Sequence, residues 1–220
     1  MGEKMLVTQA LDERDLLVKK IADKIAKASF VDTIKPNEEK VYAKRISKEE
    51  YAKEAEVAYQ QIVDLIDRFQ KIDAAIVDSN AKTVITTSYG TFTVAGAISL
   101  RSRLRATGAY DGDADFEGKL QHKLVSEYGE RVRFCDMKNS QLQTTAEEMR
   151  LSILGRDVKT KDEKPLGVVD AYVKENTTEL VDPLDVKKKL EALEEKRNTL
   201  LTELDTQIKV SNATTFIEVA

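Results

Sequence analysis

Ile72-Asp-Ala-Ala-Ile-Val-Asp-Ser-Asn-Ala-Lys-Thr-Val-Ile-Thr-Thr87 is answered 132 residues later by Leu204-Asp-Thr-Gln-Ile-Lys-Val-Ser-Asn-Ala-Thr-Thr-Phe-Ile-Glu-Val219. Seven of the sixteen positions are identical: Asp73/Asp205, Ile76/Ile208, Ser79/Ser211, Asn80/Asn212, Ala81/Ala213, Thr83/Thr215 and Ile85/Ile217. In each copy apolar residues at helical spacing give way to an alternating β-prone run, so each reads as a long helix leading into a short strand. The Ser-Asn pair is expected to close the helix, because Asn tolerates the left-handed conformation that ends many helices.

Downstream of the first copy, residues 83–94 form two alternating runs around Ser88-Tyr89-Gly90, which predicts a β-hairpin. The second copy ends in a run at 214–219 that needs a partner, since a lone strand is unstable. The expected partner is the 83–94 hairpin. Upstream, Ser47-Lys-Glu-Glu50 has capping-box spacing and predicts a helix start, continued by Ala55, Ala58 or Tyr59, Ile62, Ile66, Phe69, Ile72 and Ile76 to about residue 78. An earlier helix is expected from about residue 6 to residue 28 on the stripe Leu11, Val18, Ile21, Ile25 and Ala28. A turn at Lys35-Pro-Asn-Glu38 between β-prone pieces at 30–34 and 40–42 suggests a small hairpin.

Further helices are expected from residue 98, carrying Ile98, Leu100 and Leu104, to near Gly108, and over 116–155, the latter weakened at Gly129, with residues 110–115 as a loop or cap. Residues 167–173 read as a strand. Asp182-Pro183-Leu184-Asp185 predicts a helix start with Asp182 as N-cap and Pro183 in the first turn. The helix that follows carries Val186, Leu190, Leu193, Leu200 and Leu204 at heptad spacing, with Arg197 interrupting the seam. The expected fold is therefore mainly α with a small β element: long antiparallel helices in a coiled-coil-like bundle, capped by a short antiparallel sheet. Three regions are expected: 1–108, helical with the 83–94 hairpin; 109–165, a helical insert; and 166–220, a strand, a long helix and a terminal strand returning to the first region.

Composition narrows the function classes. Among 220 residues, 35 Lys and Arg stand against 39 Asp and Glu, giving a net charge of −4 that disfavours a strongly basic nucleic-acid binder. One His and one Cys exclude a disulfide framework and a His/Cys zinc site within one chain. Only 9 Gly and 3 Pro favour long helices over a Gly/Pro-rich β fold. No stretch approaches the roughly 20 apolar residues of a membrane span, and the opening residues carry no apolar signal core. The expectation is a non-membrane, intracellular protein, or one released without such a signal.

Gln9-Ala-Leu-Asp-Glu-Arg-Asp-Leu16 with Lys19-Lys-Ile21, the junction Asp78-Ser-Asn-Ala-Lys-Thr83, and Leu204-Asp-Thr-Gln-Ile208 followed by Ser211-Asn212 resemble the septicolysin-like family of small helical bacterial and phage proteins. The likeness covers roughly the first 105 and the last 40 residues. Residues 110–181 have no counterpart, and Ala213-Thr214 stand where the family carries an aromatic. The family's biochemical function is unknown; its name implies a lysin, but the resemblance brings no catalytic motif. It implies a cytoplasmic place in a bacterial host, or a place in a virion.

Other motifs read weakly. Asp111-Gly-Asp113-Ala-Asp115 resembles a calcium loop, but Phe116 replaces the required Gly and His122 occupies the twelfth place. Residues 112–119 lack the spacing of a phosphate loop, with Leu120 where Ser or Thr must hold the metal. His122 and Cys135 have no third residue to orient them. Arg101, Arg103 and Arg105 form a basic cluster that could contact phosphate, and Lys159, Lys161 and Lys164 form another. No catalytic residue, cofactor site or metal site is expected.

The leading expectation is a non-enzymatic structural or assembly protein, a homo-oligomer or part of a larger protein assembly. Its candidate interface is Leu190, Leu193, Leu200, Leu204, Thr215, Phe216, Ile217 and Val219, acting through coiled-coil contact and strand addition. The alternative is a regulatory module that binds nucleic acid or a protein partner through the Arg101–Arg105 face. An enzyme ranks third.

Overall fold

The computed structural model describes residues 2–154 and 164–219. In chain order the elements are β1 (Glu3–Leu6), α1 (Val7–Lys27), α2 (Lys48–Lys82), β2 (Val84–Thr87), β3 (Gly90–Thr93), α3 (Val94–Arg105), α4 (Ala109–Asp113), α5 (Phe116–Leu154), α6 (Lys164–Asn176), α7 (Val186–Thr214) and β4 (Phe216–Val219). The fold is mainly α with a small antiparallel β element. The chain divides into two compact units, one of Met1–Ser102 with Leu200–Ala220 and one of Arg103–Thr199, so the boundary falls inside α3 and α7.

In the first unit α1 runs antiparallel to α2, as cross-helix bonds Lys24–Gln61 and Arg14–Asp73 require. Ser47 starts α2 as expected, its hydroxyl accepting the Glu50 N–H at 3.1 Å. The core gathers Met5, Val7, Ala10 and Leu17 with Ile72 and Ile76 of α2 and Ile217 and Val219 of β4. The buried seam of α1 is thus Val7, Ala10 and Leu17, with Leu11 and Ile21 half-buried. Val18 and Ile25, read as part of the stripe, face solvent.

The terminal strand does not join the 83–94 hairpin. β4 pairs instead with β1, Met5 opposite Ile217 and Leu6 opposite Phe216, while β2 and β3 form a separate ribbon across Ser88-Tyr89. Local patterning cannot choose between two four-residue partners; burial of Ile217 and Val219 against α2 does. The Ser-Asn pairs also do not end their helices. α2 runs on to Lys82 and α7 to Thr214, and Thr83 and Thr215 donate back to the carbonyls of Ser79 and Ser211 at 2.8 and 2.9 Å. Both helices pass straight from αR into extended backbone, so no left-handed residue is needed.

The duplication extends beyond the sequence match. Strands 84–87 and 216–219 share one alternating pattern of exposed and buried residues. A second correspondence, offset by 87 residues, places β1 and α1 over β3 and α3, with Val7/Val94, Ala10/Ala97, Arg14/Arg101 and Leu17/Leu104 identical. All three apolar pairs are buried. The Val7 N–H donates to Thr215 at 3.0 Å just as the Val94 N–H donates to Thr83 at 2.9 Å. The repeated unit is therefore helix, strand, paired strand, helix: once as α2-β2-β3-α3, and once as α7-β4 with β1-α1 from the other end of the chain.

Residues 28–47 do not form the expected hairpin. One bond, Tyr42 N–H to Thr33, and an isolated bridge between Lys40 and Ser47 replace it. The Asp32 carboxylate instead collects the N–H groups of Thr33, Ala43 and Lys44, with Arg45 held at φ 58°. Val41 and Tyr51 are buried, and Tyr51 bonds Ser29 through its hydroxyl at 3.0 Å.

The second unit is an antiparallel helical hairpin. α5, on the order of 58 Å long, passes through Gly129 without a break. It is met by α6, through Arg150–Asp170 at 2.8 Å, and by the first half of α7, through Lys196–Glu117. Residues 167–173, expected as a strand, lie within α6: Val169 is buried and the Asp170 pairing fixes the helix, overriding the β-propensity of Val168, Val169 and Val173. Asp182 does not cap α7 as its N-terminal neighbour. The helix starts at Val186, whose N–H Asp182 still accepts at 2.9 Å across a turn containing Pro183, with Asp185 at φ 51°.

Candidate interaction surface

Heptad spacing places Val186, Leu190, Leu193, Arg197, Leu200 and Leu204 on one seam of α7. Arg197 belongs to that seam. Its guanidinium bonds the Leu104 carbonyl at the end of α3 and the Asp115 carboxylate at 2.7 Å. Asp115 in turn accepts the Gly118 N–H at 3.0 Å, and a side chain at Gly118 would collide with that carboxylate. One cation therefore ties the left-handed end of α3, at Ala106 with φ 50°, to the start of α5.

The eight proposed interface residues divide sharply. Leu200, Leu204, Ile217 and Val219 are buried inside the chain and are not available to a partner. Leu190, Leu193 and Thr215 are half-buried, the Thr215 carbonyl being engaged by Val7. Phe216 alone is exposed, with the Lys4 ammonium 5.0 Å from its ring. Leu200, Leu204 and the inner face of β4 are thus core, because heptad spacing marks a buried seam without saying which chain fills its other side.

Arg101 pairs with Asp205 at 3.3 Å in the first unit, while Arg103 and Arg105 occupy the last turn of α3. Of the lysine cluster, Lys159 and Lys161 lie outside the described residues, and of Lys164 only the backbone, at the start of α6, is described. The acidic run is spent internally: Asp111 accepts from the Thr107 hydroxyl, Asp113 meets Lys119, and Asp115 holds Arg197. His122 and Cys135 stand thirteen residues apart on α5, roughly 20 Å along its axis, and do not meet. Among the described residues no group of three or more His, Cys, Asp or Glu side chains is placed to hold a metal ion. Among them, too, no helix is long and apolar enough to cross a membrane.

What the first unit does present is strand edge. Each of the four strands has a single hydrogen-bonded neighbour. In an antiparallel pair, bonded and non-bonded positions alternate. Counting from the Val94–Thr83 bond, Ile85/Phe92 and Thr87/Gly90 are bonded pairs, and the amides of Val84, Thr86 and Thr91 point outward. Counting from Val7–Thr215, the outward amides of the other ribbon belong to Lys4, Leu6, Phe216 and Glu218, and the Gln9 side chain already accepts from Leu6 at 3.0 Å. The β1–β4 edges thus carry charges of the kind that discourage strand addition, whereas Thr86 and Thr91 carry none.

No known protein family, curated protein or solved structure matches the chain.

In the second unit the face of α5 turned to α6 and α7 repeats as Leu124, Tyr128, Val132, Cys135, Asn139, Leu142, Ala146 and Met149, a seam at spacings of four and three that alternate from Val132 onward. Asn139 is its polar member. Its amide donates to the Thr178 carbonyl at 2.9 Å and accepts the Thr178 N–H at 2.8 Å, satisfying the backbone just where α6 ends. Beside it, Leu124, Tyr128, Leu180, Val181 and Leu184 line a pocket rimmed by Glu127, Arg131 and Asp182. Local sequence pattern singles out neither Asn139 nor this pocket; the one signal it carries is a lone Asn between Cys135 and Leu142 on the heptad.

Proposed function

We propose that the protein is a non-enzymatic structural or assembly component that acts through self-association or docking into a larger protein complex. The carrying observation is the β2–β3 ribbon, whose strand residues 84–87 and 90–93 carry no charge, whereas the outward positions of the other ribbon include Lys4 and Glu218. Strand addition is therefore assigned to the hairpin and not to the terminal strand, whose inner face is committed to the core. The septicolysin-like character of residues 9–21, 78–83 and 204–212 supports a setting in a bacterial cytoplasm or a phage virion.

The test is solution mass by light scattering over a concentration series, for the natural chain and for Thr91→Pro. Proline at this outward position removes a donor without a ladder bond. Association above 24.7 kDa that Thr91→Pro reduces, with the helical circular-dichroism signal kept, supports the reading. Thr91→Lys, which leaves the backbone untouched, should act in the same direction. A monomer at every concentration overturns self-association.

A further inference from the structure

Gln207, Val210, Ser211 and Thr214 stand at i, i+3, i+4 and i+7, so they form one stripe on α7. That stripe shares a groove with residues 83–86. Four consecutive residues of the strand line it, so it opens at the edge of β2 that β3 does not take, where Val84 and Thr86 present their outward amides. α7 runs antiparallel to β2 beside it: Glu203 holds Ser88 at one end, and Thr215 joins Thr83 in the groove at the other. Ser211 is only 9% exposed, yet its hydroxyl makes no hydrogen bond among the described residues and faces this groove. Its counterpart Ser79 has the Thr83 hydroxyl at 3.5 Å.

The duplication supplies the comparison. The matching places in the other half are Ala75, Asp78, Ser79 and Lys82, on the helix against which β4 packs. Asp78 and Lys82 form an ion pair there at 2.7 Å, and Glu218 stands where β2 has Thr86. Of two equivalent faces, one is charged, and the other has no charged residue in its groove.

We infer that the uncharged face is a twofold interface whose occupant is the same face of a second copy, with β2 antiparallel to β2 and the axis at Ile85. This inference rests on the assembly reading and names an edge and a partner for it. Val84 and Thr86 of one copy then exchange hydrogen bonds with Thr86 and Val84 of the other. No neighbouring register does as well. An axis at Val84 sets Thr86 against the helical Lys82, and an axis at Thr86 sets Val84 against Ser88, whose N–H Glu203 already holds. An antiparallel edge is its own complement, and here the side chains agree. Val84 meets Thr86 across the axis, both on the exposed face of the strand. The two ribbons have their centres about 10 Å apart, the distance at which helices pack. The α7 helices therefore meet antiparallel, with Val210 at the axis and Ser211 of each copy beside Gln207 of the other. Lys82 of each copy comes beside Ser88 and Glu203 of the other and lies about 20 Å from its own mate. The same pairing through β4 would bring the two Asp78 carboxylates together at the axis, a like-charge contact that opposes association.

Sedimentation velocity tests this in the Thr91→Pro chain, whose β3 edge is closed. That chain should still form a dimer of two 24.7 kDa chains. Val210→Asp and Val210→Lys, added singly, should each weaken the dimer by more than about tenfold, because a residue at the axis meets itself. An equimolar mixture of the two should recover it. Thr86→Pro, which removes a donor from both strands, should also weaken it. Val210 is 51% exposed, so the helical circular-dichroism signal should hold in both charge variants. A Thr91→Pro chain that is monomeric while the natural chain associates overturns this face and leaves strand addition at β3 standing. Charge variants that dimerise like their parent, or a mixture that recovers nothing, overturn the twofold at Val210. A natural chain that is monomeric at every concentration overturns both this inference and self-association by the hairpin.

Discussion

The guanidinium of Arg101 lies 3.3 Å from the carboxylate of Asp205, and 3.4 Å separates the equivalent pair, Arg14 and Asp73, so each pair joins one copy of the repeated unit to the other. Both pairs join a short helix that follows a strand to a long helix that precedes one. Both are partly shielded from water and neither is deeply buried. Asp205→Asn and Asp73→Asn should therefore each cost about 0.5–1 kcal/mol, nearly equally, in urea unfolding. A cost confined to one pair would show that the duplication no longer shares its energetics.

Leu204 stands at 0% exposure on the heptad seam that the sequence offers as a candidate interface. Its truncation should act on folding. Leu204→Ala should lose about 2–5 kcal/mol through the cavity it leaves, with no concentration dependence beyond that of the natural chain. A loss of oligomer with unchanged unfolding midpoint would return Leu204 to an interface.

Local periodicity made the helix-to-strand units legible, because Ile72/Leu204 and Ile76/Ile208 repeat the same spacing into the same alternation. The partner of β4 was not legible. The second correspondence rests on four identities, Val7, Ala10, Arg14 and Leu17 with their mates, at an offset that differs from the first and joins opposite ends of the chain. α6 was misread for a different reason: Val168, Val169 and Val173 favour strand intrinsically, and only docking on α5 makes them helical.

Asn139 holds the backbone of Thr178 by both its amide groups. Asn139→Leu would leave two part-buried backbone groups without those partners and should cost about 1–3 kcal/mol. Hydrogen exchange is the sharper readout. The Thr178 amide should lose protection, whereas amides in α1 and α2 of the first unit should keep theirs.

Acid should weaken both units. Glu13 is held below the usual carboxylate range mainly by its hydrogen bond to Arg68, and Asp115 mainly by its hydrogen bond from Arg197. In each case the folded group binds a proton less readily than the unfolded one. Between the ordinary carboxylate pKa, about 4, and the lower folded values, the unfolded chain carries more protons, so stability falls as pH falls. Above that window the contribution is complete and flat. Arg68→Ala and Arg197→Ala should each flatten part of the acid limb in urea midpoints measured across it; an unchanged limb in both would mean that other carboxylates carry the acid response.

The two ribbons differ in how they are joined: Ser88-Tyr89 links β2 to β3, while β4 and β1 pair from opposite ends of the chain with Val219 opposite Glu3. If the repeated unit is the energetic unit of the fold, moving the break should preserve it. A chain opened between Ser88 and Tyr89, with residue 220 joined to residue 2, should fold with the helical content of the natural chain. It should lose some stability at the new ends, because Glu203 accepts both the Ser88 N–H at 2.8 Å and its hydroxyl at 2.9 Å. That loss should be about 1–2 kcal/mol, the scale of charge-assisted hydrogen bonds freed to fray. Added closure of the β1–β4 ribbon offsets part of it by lowering the entropy of the unfolded ends. A permuted chain that cannot form its helices would mean that the hairpin turn, and not the pairing of the duplicated units, organises the first unit.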